Sequence, residues 1–142
     1  MRASRQSSRF GLSNRRRRGA VLIESALVYT MTLMLILGTI VVGLGVFRYQ
    51  QIASLAREGS RWASVHGPTY VSEQGQSAIT KSDVMTNAIL PKIVILDSTA
   101  LTCTNFSMTS GNATVTLTYK WTPEAFFAPI TMKSTSVTPI LY

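Results

Sequence analysis

One cysteine and one histidine are all that the 142 residues contain of the softer metal ligands. Cys103 has no partner for an intramolecular disulfide, and metal sites built from cysteine pairs or histidine clusters are excluded. Between Thr102 and Thr104, Cys103 reads as a small, half-buried strand residue. His66 falls at an expected helix end, where an imidazole can meet free backbone carbonyls. Acids are scarce too: Glu58, Glu73, Asp83, Asp97 and Glu124 are scattered, with no spacing suited to paired acid chemistry. No catalytic constellation remains, so the chain is expected to be no enzyme and to use no cofactor and no metal.

Negative charge is missing altogether before Gly19, whereas Arg2, Arg5, Arg9, Arg15, Arg16, Arg17 and Arg18 all precede it. From Ala20 onward seven Lys or Arg face six Asp or Glu, so the body is nearly neutral although the whole chain carries a formal charge of +8. Charge this local, with no groove-reading or aromatic element beside it, points away from nucleic acid. It points instead to topology and to anionic lipid headgroups.

Between Ser25 and Phe47 no side chain is charged over 23 residues, and twelve of them are Leu, Ile, Val or Phe. At about 1.5 Å per helical residue, that stretch crosses a hydrocarbon core of roughly 30 Å. A secretory signal peptide has an apolar core of only about 7 to 15 residues and a small-residue exit. Gly43, Gly45 and Val46 do not supply one, and the helix is expected to stay attached. Arg15 to Arg18 abut the span, while Arg48, Arg57 and Arg61 beyond it are spaced out and accompanied by Glu58. The positive-inside tendency then keeps the N-terminus in the cytoplasm and puts residues from about Arg48 outside.

At the junction Arg15-Arg16-Arg17-Arg18-Gly19-Ala20-Val21-Leu22-Ile23-Glu24, one carboxylate interrupts the apolar run. A carboxylate at mid-bilayer is disfavoured by up to roughly 3 kcal/mol, less near the interface. Opposite unit charges about 4 Å apart attract by about 4 kcal/mol at an effective dielectric near 20, a comparable amount. This junction resembles a prepilin processing site. The resemblance implies that prepilin peptidase cuts after Gly19, that Ala20 becomes the first mature residue, and that Glu24 meets a free amine. That amine lies one turn away on the same helix or on a neighbouring helix, where the pair sets axial register.

Past the span, Phe47 to Ala63 keeps good helix formers and places Ile52, Leu55, Ala56 and Ala63 near one face, with Gly67-Pro68 as the stop. The run Ala56-Arg57-Glu58-Gly59-Ser60-Arg61-Trp62-Ala63 is similar to the Ala-Arg-Glu-Gly-Ala-Arg-Tyr-Ala pattern of the TadE-like pseudopilins. Ala113-Thr114-Val115-Thr116-Leu117-Thr118-Tyr119-Lys120-Trp121-Thr122-Pro123 is similar to their terminal strand followed by proline. Where that family often has Phe after the glutamate and Pro a few residues later, this chain has Ser25 and then Tyr29-Thr30.

The expected fold is α+β: a long N-terminal helix, transmembrane and continuing outside the membrane, packed on a small antiparallel β-sheet domain. The expected division is a basic leader at 1–19, a transmembrane helix at 20–47, its continuation at 48–66 and a small extracytoplasmic domain at 67–142. In that domain Asp83 is expected to cap a short helix over Val84 to Leu90 ended by Pro91, and Ile93 to Leu96 to form a brief strand. A strand at Leu101 to Met108, a turn at Ser110-Gly111-Asn112, an alternating strand through Thr114 to Tyr119 and a last strand from Thr131 to Thr138 complete the sheet. The resemblance implies a minor pseudopilin in assembly of a tight-adherence (Flp-type) pilus. Its implied partners are prepilin peptidase, other pilins and pseudopilins, assembly-platform proteins and membrane lipid, at the bacterial cytoplasmic membrane. An uncleaved signal-anchored binding protein of the envelope is the alternative. Whether the chain enters the filament, caps it or stays in the membrane is open at this level.

Overall fold

The computed structural model of the protein describes residues 13–123 and 128–141, with side chains from Gly19 onward. The leader up to residue 12, the side chains of Arg15, Arg16, Arg17 and Arg18, and Glu124 lie outside the described residues. Helix α1 runs from Ser13 to Val65, and contacts along the chain fall into two units divided after Ile40.

In the first unit the apolar side chains of α1 face outward. Ile23 is 73% exposed, Leu35 71% and Met34 71%. The helix is long and apolar enough to cross a membrane, with a peak mean hydropathy of 2.2 over an 18-residue window. Four of its hydroxyls are satisfied without solvent: Ser25, Thr30, Thr32 and Thr39 each donate to the carbonyl four residues back, at 2.7 to 2.9 Å. That habit suits an apolar medium, in which an unpaired hydroxyl is costly.

In the second unit α1 becomes one side of a core. Ile52, Leu55, Ala56 and Ala63 are buried, together with Gly59, Ser60 and Ser64. The spacing of three and four residues is that of one helical face. The opposing layer is a three-stranded antiparallel sheet in the order β1 (Leu101–Thr109), β2 (Asn112–Trp121), β3 (Ile130–Pro139). On central β2, Ala113, Val115, Leu117, Tyr119 and Trp121 are all buried, as the period of two requires. Thr114 and Thr118 on the alternate face are half-buried and Thr116 is covered, bonding to Thr135 across the strands at 3.0 Å. The long helix on a small antiparallel sheet is the architecture expected from the sequence.

The helix comes close to the sheet because its contact residues are small. A Cβ on Gly59 would lie 3.4 Å from Ile89, Val84 and Val115 side-chain carbons. On the neighbouring stripe, at the next residue, the fully buried Ser60 hydroxyl bonds Ser136 Oγ at 2.9 Å and Thr138 Oγ1 at 2.8 Å. Further along, Ser64 accepts through its carbonyl from Leu141 N at 3.0 Å. A polar seam thus joins α1 to edge strand β3, while apolar packing joins it to β2. Near the other end of this unit, a Cβ on Gly45 would fall 2.9 Å from Trp121 Cζ3, and the Arg48 guanidinium lies 5.0 Å from the Trp121 ring centroid. Val41, Gly45 and Arg48, spaced along one face, are half-buried, while Val42, Leu44, Val46 and Phe47 stay exposed.

Several local expectations are corrected. Gly67-Pro68 ends α1, but Pro68 also opens a second helix, α2 (Pro68–Gln74), at the first helical position, where a missing N–H costs nothing. Helix α3 (Lys81–Asp83) is capped by Thr80, not by Asp83, which is instead the third residue of a reciprocal capping box. It continues as a π-helical turn over Val84–Ile89 and a 3₁₀ turn over Leu90–Lys92. The wider turn brings Val84, Ala88 and Ile89 inward together, four and five residues apart. Ile93 to Leu96 forms bends and no strand; Leu96 is buried there as a single anchor while Val94 is 84% exposed. The β1–β2 turn is Ser110-Gly111, both at positive φ (54° and 74°), as a two-residue hairpin turn requires.

Two substitutions test this packing. Gly59→Val should destabilise the full chain in detergent micelles by about 1–3 kcal/mol through overpacking against Val115 and Ile89, whereas Arg57→Gln on the exposed face should stay within about 0.5 kcal/mol. Ser60→Ala should cost about 1–3 kcal/mol, because the Ser136 and Thr138 hydroxyls lose a buried partner. Denaturant unfolding followed by circular dichroism measures both, and equal midpoints for the Gly59 variant and the parent would contradict the close-approach argument.

Candidate assembly site

The residues singled out by sequence fall on α1 in two groups. Gly19, Ala20 and Glu24 lie in the first unit, on helical backbone, and all three are exposed. A Cβ on Gly19 would meet nothing within 4 Å. Among the described residues, no neighbouring side chain therefore explains a glycine at that position. Ala20 and Glu24 are four residues apart in one helix, which puts them on the same face one turn apart. Glu24 has no ion-pair partner among the described residues.

The second group, Ala56, Arg57, Glu58, Gly59 and Arg61, divides by face. Ala56 and Gly59 are buried and form the small stripe under β2. Arg57 and Arg61 are exposed, and Arg57 Nε donates to the Ala53 carbonyl at 3.1 Å on its own helix. Glu58 pairs with Lys92 in the 3₁₀ turn; the ammonium hydrogen bond holds the Glu58 carboxyl below the usual carboxylate range. That pair is largely exposed and screened, so it orients the turn more than it stabilises it. The motif is thus chiefly a helix-to-sheet fit, with its arginines left on the outside.

Other titratable groups act locally. Asp83 and Asp97 are both held below the ordinary range by hydroxyl and backbone N–H donors, from Thr80 and Thr99 respectively. Burial pushes the Cys103 thiol up, consistent with a half-buried strand residue whose Sγ faces the Asn105 carbonyl at 3.7 Å. His66 Nδ1 lies 2.9 Å from the Trp62 carbonyl at the end of α1, the role its sequence position implied. Among the described residues, no three of His, Cys, Asp and Glu gather where they could hold a metal ion. What sequence reasoning missed is the hydroxyl seam of Ser60, Ser136 and Thr138. The strand alternation of Ser134, Ser136 and Thr138 carried that signal, but only pairing with β2 tells which face meets the helix.

Comparison with protein families matches residues 19–61 to the TadE-like protein family. Comparisons with curated proteins and with solved structures gave no match. The matched segment starts at Gly19 and ends at Arg61, so it spans both groups of residues on α1. Over this segment, under a third of the chain, the sequence is similar to the TadE-like family, a pilus-associated structural family, as the junction at Gly19 and the run from Ala56 to Arg61 implied; the similarity read at Ala113 to Pro123 lies outside the match.

Proposed function

We propose that this protein is a minor pseudopilin, processed by prepilin peptidase after Gly19 and taking part in assembly of a tight-adherence pilus. The observation that carries this reading is a family match beginning at Gly19 and including Ala20 and Glu24. The exposure of Gly19 and of the apolar helical residues that follow it supports it, since a peptidase needs access to its bond. In this reading residues 1–19 are a cytoplasmic leader, and residues 20–47 cross the inner membrane. Residues 48–66 continue the helix, and 67–142 form the outer domain. Arg15, Arg16, Arg17 and Arg18 hold the leader inside. Membrane lipid, other pilins and assembly-platform proteins are the partners.

Cleavage after Gly19 gives Ala20 an amine. The desolvation that disfavours a carboxylate in lipid then favours an ion pair between Glu24 and such an amine, on its own or a neighbouring helix. An incoming subunit whose amine reaches that carboxylate is held in one axial register, since displacement by a turn, about 5.4 Å, breaks the pair.

Mass spectrometry of membranes should find a peptide starting at Ala20 when prepilin peptidase is present, and the uncut chain when it is not. A leader that stays attached in peptidase-competent cells would favour the uncleaved, signal-anchored alternative. Glu24→Ala should insert normally, yet its co-purification with pilus components should fall by about tenfold, the equivalent of 1.4 kcal/mol. Unchanged co-purification would remove the register role while leaving cleavage intact.

A further inference from the structure

Where α1 ends, Trp62, His66 and Tyr70 form a run of rings spaced four residues apart. The Trp62 and His66 rings stack with centroids 4.1 Å apart, and Tyr70 meets His66 edge-on at 4.7 Å. These three line a cleft of about 420 Å³ together with Gln76, Asp83 and Asn87. That volume is within the range of small-ligand sites.

The chemistry of the wall narrows the occupant. Gln76 and Asn87, both in the lining, each offer an amide donor and acceptor. Both Thr80 bonds to Asp83 go to Oδ2, so Oδ1 keeps acceptor capacity. Donors and acceptors side by side beneath an aromatic wall match a polyol ring, which has hydroxyls around its edge and a C–H face. No lysine or arginine lines the cleft, and the nearby Lys81 ammonium is directed to the Thr104 carbonyl at 3.4 Å. An anionic sugar would therefore meet Asp83 uncompensated. A quaternary ammonium is held by ring faces gathered around it on several sides, whereas here the three rings follow one another along a single run.

We propose that the cleft between Trp62, His66, Tyr70 and Asn87 is a binding site for a neutral pyranose residue. The site packs the sugar's C–H face on the aromatic wall and takes its hydroxyls at Asp83, Gln76 and Asn87. This inference stands apart from leader cleavage and from the Glu24 pair.

The test is saturation-transfer NMR on the full chain in lipid nanodiscs, because sugar-headed detergents would compete. The probes are methyl β-D-glucopyranoside, N-acetylglucosamine, glucuronic acid and choline. Transfer to ring C–H protons of at least one neutral sugar is expected below about 20 mM, a range in keeping with one small-ligand contact. Glucuronic acid and choline should show none. Asn87→Ala, at an exposed position, and Tyr70→Ala should each reduce transfer at least about fivefold, whereas Thr135→Ala on the sheet should leave it unchanged. Absence of transfer to both neutral sugars would overturn the proposal. So would transfer that survives in the Asn87 variant, or a preference for choline or the acid.

Discussion

The second unit depends on how near a helix can lie to a sheet. Gly59 lets α1 approach until Val115, Val84 and Ile89 would touch any added carbon, and Ala56 and Ala63 extend that narrow stripe to either side. With one long helix, a few short helical turns and three strands, the domain has few apolar side chains to cover, and close contact compensates for their number. The Ser60 seam adds direction. Apolar packing alone tolerates sliding, whereas one buried hydroxyl meeting Ser136 and Thr138 is satisfied in one placement of β3 against the helix.

The same helix serves two surroundings, and its composition changes accordingly. Up to Ile40 large apolar side chains point outward and the hydroxyls of Ser25, Thr30, Thr32 and Thr39 bond back to their own backbone, which is how a helix presents itself to lipid. From Ile52 onward small residues face the sheet and arginines face outward. Between these stretches Gly45 and Arg48 contact Trp121, so an aromatic ring and a guanidinium sit beside the last uncharged turns. Cation and indole together are the usual residents of a membrane interface.

Much of this was legible in the sequence because it rests on period and length. The apolar face at Ile52, Leu55, Ala56 and Ala63 is a spacing, and so is the alternation through β2. Tertiary context decided the rest. Ile93 to Leu96 has strand composition, yet the chain needs only Leu96 as an anchor before turning to β1. Thr80 took the cap because its side chain and Asp83 satisfy one another, a reciprocal fit three residues apart that Asp83 alone does not suggest. Pro68 punctuates in both directions, ending one helix and opening the next. Of the candidate site, the junction and Glu24 were visible as a charge step. The structural duty of Gly59 was visible only as a resemblance until its neighbours were in place.

Placement along α1 also separates folding from assembly. The core of the second unit is drawn from Ile52 onward, with Val41 packed against its edge, and Glu24 contributes nothing to it. A carboxylate kept on an exposed apolar helix, with no partner among the described residues, is a cost that the fold itself does not offset. Stability of the second unit gives no reason to retain it. If an intermolecular amine offsets the cost, the charge is most favourable only in company, and an isolated subunit is the less stable state. One acid on one helix then disfavours the lone chain in lipid while leaving its domain folded, which is the condition an assembly intermediate has to meet.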